Sequence, residues 1–191
     1  MTTSDIMSEV TLPDKTKLYS YERAREVFKA IDKKEFNVAD AILTLLFAQP
    51  DKPIHGRISL MKQVFLLTHE VMEKSRIQDP KFVPARYGMY SFLVANTVLN
   101  LEFAGYITRQ GRKNTRVESF RISDKGKQHI ATLFNSLPDD LQTTIRRNRK
   151  GWDQLGYEGI LRYIYQKHPE YRDTSVFKKR YAPIVWGRGL G

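Results

Sequence analysis

The sequence predicts a mostly helical α+β protein, and three observations lead there. Apolar residues recur at helical spacing, most clearly Ala39, Ile42, Leu43 and Leu46, then Met61, Val64, Phe65, Val71 and Met72. Between Gly105 and Ile122 the pattern changes. Tyr106-Ile107-Thr108-Arg109 is short and rich in β-formers, Gln110 to Thr115 is polar and turn-forming, and Val117 to Ile122 alternates apolar and polar with period two. Helical patterning resumes after Ser123 and again after Pro138.

Residues 1–20 show no periodicity and are expected to be loose. Tyr21 to Lys34 reads as a charged helix whose narrow stripe of Ala24, Val27, Phe28 and Ile31 needs a covering surface. Asn37 is suited to cap a core helix from Val38 to Gln49, stopped by Pro50. Pro53 to Ile58 suits a third, edge strand, and Ser59 a cap for a helix from Leu60 to Arg76. Phe82 to Ser91, with Pro84, Gly88 and three aromatics, is expected to be an ordered, packed loop. A helix follows from Ser91 to Ala104, with Val94, Val98 and Leu101 on one line and Gly105 at its end. Ser123 is placed to cap the next helix, starting at Asp124. Pro138 opens a helix from Asp139 to about Lys150, ended by Gly151. A second runs from about Leu155 to His168 and stops at Pro169. The expected organisation is a tail and helix over 1–36, a central domain over 37–135, a helical extension over 136–175 and a basic, flexible tail over 176–191.

The chain has 191 residues, no cysteine and a formal net charge of +11. Disulfides, thiolate metal sites and cysteine nucleophiles are therefore excluded. No apolar run approaches the roughly 20 residues of a membrane span, and the first residues are polar, so a soluble, cytoplasmic protein is expected. The charge is uneven. Residues 105–135 hold seven bases against two acids, and residues 136–191 hold eleven against six. A localised basic surface of this kind suits a polyanion partner.

Helix, strand, basic loop, strand, helix over residues 91–130 resembles the second half of a winged helix-turn-helix domain. The likeness is carried by Gly105-Tyr106-Ile107 and by Phe120-Arg121-Ile122-Ser123-Asp124-Lys125-Gly126, similar to the apolar-x-apolar-[Ser/Thr]-x-Lys-Gly run that closes the second wing strand in that family. Three further stretches resemble the prokaryotic SocA-type antitoxin, or phage-associated, winged-helix family. They are Gly56-Arg57-Ile58 with Leu60 and Lys62, Phe82-x-Pro84-x-Arg86-Tyr87-Gly88-x-Tyr90-Ser91 and Leu161-Arg162-Tyr163-Ile164-Tyr165 running on to Pro169-Glu170. Met89 stands where that family commonly has proline. The resemblance covers roughly residues 38 to 175 and implies the fold more firmly than any function.

On this fold the basic loop is the first candidate for contact with DNA. Arg109, Arg112, Lys113, Arg116 and Arg121 fall within thirteen residues, with Gly111 and Asn114 allowing a tight turn. Cations there can contact phosphates, and an arginine at the tip can enter a narrow minor groove. The helix at 91–104 offers Asn96 and Asn100 for base edges. Phe92, Leu93, Leu99 and Phe103 nevertheless lie off its core stripe. Apolar residues nearly all round predict that the C-terminal helices or a second subunit cover it. Arg146, Arg147, Arg149 and Lys150, with Lys178, Lys179 and Arg180 in the tail, are further candidates for backbone contacts.

Catalysis finds no support. His55, His69, His129 and His168 stand far apart without metal-binding spacing, and no nucleophile elbow or phosphate-binding glycine loop occurs. No cofactor and no metal are expected. The expectation is a double-stranded DNA-binding protein of regulatory type, homodimeric through residues 21–34 or the apolar side of helix 91–104. The alternatives are an antitoxin- or adaptor-like module that grips a protein partner through that helix, and an RNA-binding protein.

Overall fold

The computed structural model describes residues 9–11, 17–19, 35–86, 88–113, 115, 117–172 and 175–176. The chain divides into two units, residues 1–35 and 36–191. In the first, strands β1 (Glu9–Thr11) and β2 (Lys17–Tyr19) pair antiparallel with Val10 opposite Leu18. These strands replace the loose segment expected there, each being too short for a period to show. The expected helix at 21–34 and the basic tail with Lys178, Lys179 and Arg180 lie outside the described residues.

The second unit is α+β, mostly helical, with a small antiparallel sheet. Its centre is helix α1 (Val38–Phe47), in which Val38, Ala41, Ile42, Leu43, Leu45 and Leu46 are all buried. The Asn37 side chain accepts from the Asp40 amide while the Asp40 carboxylate accepts from the Asn37 amide, a reciprocal capping box. Strand β3 (Ile54–His55) follows, then helix α2 (Arg57–Leu66), which widens into one π-helical turn over Leu67–Val71. The helix therefore starts three residues before the expected Leu60, and Ser59 lies inside it instead of capping it. Gly56 takes φ 81° and turns the chain from strand straight into helix.

Residues expected to form a packed loop instead make a short hairpin, β4 (Val83–Ala85) and β5 (Gly88–Tyr90). Helix α3 (Phe92–Phe103), strand β6 (Ile107–Gln110), strand β7 (Ser119–Ile122) and helix α4 (Asp124–Asn135) come next. The sheet order is β3-β7-β6, with Ile54 opposite Phe120 and Ile107 opposite Ile122, all antiparallel. Helix α5 (Asp139–Lys167) and a turn α6 (Pro169–Arg172) are the last described elements. Helix α5 does not end at Gly151. It breaks at Gly156, which takes φ 62° and ψ −174°. Both halves put side chains into the common core, Ile145 and Trp152 from the first and Ile160, Leu161, Ile164 and Tyr165 from the second.

The sequence motifs act as fasteners. The Ser123 hydroxyl meets the Gly105 and Tyr106 carbonyls at 2.7 and 2.9 Å and accepts from the Gly126 amide. The Lys125 ammonium donates to the Ala104 carbonyl at 2.8 Å and lies over the Tyr106 ring, complementing the C-terminal end of α3. A Cβ on Gly126 would stand 2.2 Å from the Tyr106 carbonyl oxygen, so no larger residue fits. Lys62, on buried α2, donates to the Met89 carbonyl at 2.8 Å and ties hairpin β4–β5 to the core. Gly88 lies so close that a Cβ there would come within 2.8 Å of the Tyr165 hydroxyl. Ser91 caps α3 by accepting from the Val94 amide, and its own hydroxyl donates to the Pro80 carbonyl. No helix among the described residues is long and apolar enough to cross a membrane.

Candidate nucleic-acid interface

The β6–β7 hairpin reverses at Gly111, whose φ of 79° suits glycine, and its loop is braced internally. The Thr115 hydroxyl and amide both donate to the Arg112 carbonyl, at 2.6 and 3.2 Å, and the Glu118 amide donates to the Thr115 carbonyl. Arg112 and Lys113 project from this loop, exposed and without an ion pair to any described residue. Asn114 and Arg116 lie outside the described residues.

The base of the hairpin differs from the tip. Arg109 donates to the Glu102 carboxylate at 2.8 Å and reaches Glu118 at 3.8 Å. Arg57 approaches the same Glu118 oxygen at 3.5 Å, and the Glu118 side chain is only 1 % exposed. Two arginines and two carboxylates thus balance one another, so Arg109 is a structural cation and not the phosphate contact expected of it. Arg121 is half-buried and donates to the Asp51 carbonyl at 2.9 Å, which occupies it in the same way.

Helix α5 also separates its cations. Arg146, Arg147 and Lys150 are exposed, with Arg146 over the Phe134 ring. Arg149 points the other way and is fully buried, paired with Asp153 one turn on and donating to the Lys52 carbonyl at 3.4 Å. Helical spacing explains the correction: residues 145, 149 and 152 share the inward line, so a run of basic residues cannot all face solvent. Burial lowers the Arg149 pKa to about 10, which still leaves it charged at neutral pH.

At helix α3 the described C-terminal helices do not supply the expected cover, which leaves the second subunit as the other cover foreseen. Val94, Ala95, Val98 and Leu101 are buried, yet no described residue covers the opposite side. Phe92 is 71 % and Phe103 96 % exposed, with Leu93 and Leu99 at 36 % each. Asn96 and Asn100 are exposed among them. The C-terminal helices pack mainly on α2 and its π-turn, which leaves α3 with one buried face instead of several.

Two of the histidines, His69 and His168, pack beside the Phe65 ring. His69 stacks on Phe65 at 4.2 Å, and burial lowers its pKa. His168 meets Glu70 at 3.1 Å, where the Tyr163 hydroxyl also donates at 2.6 Å. The sequence matches no protein-family model and no curated protein sequence.

Proposed function

We propose that this chain is a winged-helix protein that binds double-stranded DNA, mainly through phosphates, in a regulatory role. The winged-helix assignment is supported by the succession α1, β3, α2, α3, β6, β7 and by the β3-β7-β6 order, in which the first strand joins the edge of the later hairpin. The observation that carries the functional reading is the hairpin tip. Arg112 and Lys113 stand exposed on a loop held in shape by its own hydrogen bonds, so little backbone freedom is lost when they meet phosphate oxygens. Positive charge beyond the tip, on Arg146, Arg147 and Lys150, adds long-range attraction. Neutralised Arg109, occupied Arg121 and buried Arg149 take no part.

Binding of this kind releases counterions and weakens with salt. Replacing Arg112 and Lys113 together by alanine is expected to flatten the log-affinity against log-salt slope for a random duplex by about 2 units per bound protomer. Fluorescence anisotropy across a salt series measures it. Identical slopes for the two proteins would remove the wing tip from the interface. The second reading, a protein contact on helix α3, is favoured by the exposure of Phe92 and Phe103.

A further inference from the structure

We propose that the outer face of α3 is a homodimer interface, covered by the same face of a second copy of this chain lying antiparallel across it. Four observations select that occupant. At 100° per residue, Phe92, Asn96, Leu99 and Phe103 fall within an arc of about 60°, with Asn100 and Leu93 a further ~40° and ~60° round on one side, so the exposed residues form one broad stripe. The stripe ends in an aromatic on both sides, about 16 Å apart.

A two-fold axis between residues 97 and 98 places each Phe92 beside the partner copy's equivalent of Phe103, and each Asn96 beside the equivalent of Leu99. That is the self-complementarity an isologous contact requires, since residue i meets j and j meets i. The amides of Asn96 and Asn100 come close to the axis, where each can donate to the other copy. Two largely exposed phenylalanines, two part-exposed leucines and two asparagines offer on the order of 500 Å² per protomer, or about 1,000 Å² per pair. This meets the lower bound of a specific interface, so the dimer is weak.

Charge points the same way. Glu102 is the one ionisable residue in α3, and it is already paired with Arg109 at 2.8 Å. A chain of net charge +11 therefore meets its copy here without opposing like charges. The same neutrality gives a nucleic acid nothing to grip on this face. The dimer stands independently of the DNA reading, and its consequence for that reading is that two wing tips per assembly reach the duplex while α3 stays out of the groove.

Sedimentation equilibrium of the full chain at about 0.5 M salt, free of nucleic acid and at about 1 to 100 µM, tests the proposal. The average mass is expected to climb from 22.3 kDa towards twice that value. Phe103→Glu is expected to remain monomeric with an unchanged thermal melt, because that side chain is 96 % exposed. A wild type that stays monomeric throughout, or a Phe103→Glu protein that dimerises equally, overturns the interface.

Geometry is tested separately. The chain has no cysteine, so Asn96→Cys supplies a single thiol near the axis. A short bismaleimide is expected to join two such chains at least about ten times faster than two Gln128→Cys chains, Gln128 being exposed on α4. Equal rates overturn the antiparallel pairing. Neither measurement involves DNA, so loss of the dimer and loss of wing binding are told apart.

Discussion

Asp153→Ala is expected to destabilise the fold by about 3–5 kcal/mol, because it leaves a buried guanidinium without its carboxylate. Arg149 is 0 % exposed, and Asp153 is its ion-pair partner one helical turn away. The Gln63 side-chain amide donates to the same carboxylate at 3.1 Å, and Arg149 reaches the Lys52 carbonyl at 3.4 Å. One polar cluster therefore joins α5, α2 and the loop before β3. Removing both charges should cost far less, since a well-packed apolar pair often replaces a buried ion pair without loss. Urea denaturation of Asp153→Ala and of Asp153→Ala with Arg149→Met measures the difference. A single variant as stable as the double would show that the pair is not what holds these elements.

The second large effect concerns Lys62. Burial lowers its pKa from 10.5 to about 7, while its ammonium nitrogen donates to the Met89 carbonyl. Between about pH 7 and about pH 10.5 the unfolded chain therefore carries a proton that the folded chain has released. Stability from this group rises with pH across that window, by up to about 1.4 kcal/mol per pH unit. Below pH 7 both states are protonated and the contribution is flat. Other groups titrate in the same range, so the measurement is the difference between the wild type and Lys62→Met, followed by urea midpoint from pH 6 to 10. The gap is expected to shift in favour of the wild type as pH rises. A gap independent of pH would mean that Lys62 keeps its proton in the folded chain.

Much of the fold was legible because its signals are local. Asn37 and Ser123 were readable as caps, and each side chain accepts from the amide three residues on, whereas Ser59 was misread as one and Ser91 was not recognised as one. Strand β6 showed in the β-formers of residues 106–109 and β7 in the alternation from Val117 to Ile122. The break at Gly156 was not legible, since Gly151 and Gly156 are equally unusual within a helical run and only the path back to the core chooses between them. Candidate site residues were harder still. Arg109, Arg112 and Arg121 look alike in sequence, and what separates them is distant in the chain: Glu118 beside Arg57, and the Asp51 carbonyl. Arg149 was misplaced for a nearer reason, its helical phase with Ile145 and Trp152. The apolar side of α3 was visible in the spacing of Phe92, Leu99 and Phe103. What the spacing could not show is that no described part of the chain lies over it.

Among the described residues, these assignments leave Arg112 and Lys113 as the hairpin-tip cations available for the proposed contact with DNA. Equilibrium binding of the purified chain to a random-sequence duplex, between about 50 and about 200 mM salt, tests that most directly. Two phosphate contacts per bound hairpin tip give a slope near −1.8 and a loss of affinity of about 10-fold over that range. No binding at the low-salt end, or an affinity that does not change with salt, would contradict duplex binding through the wing.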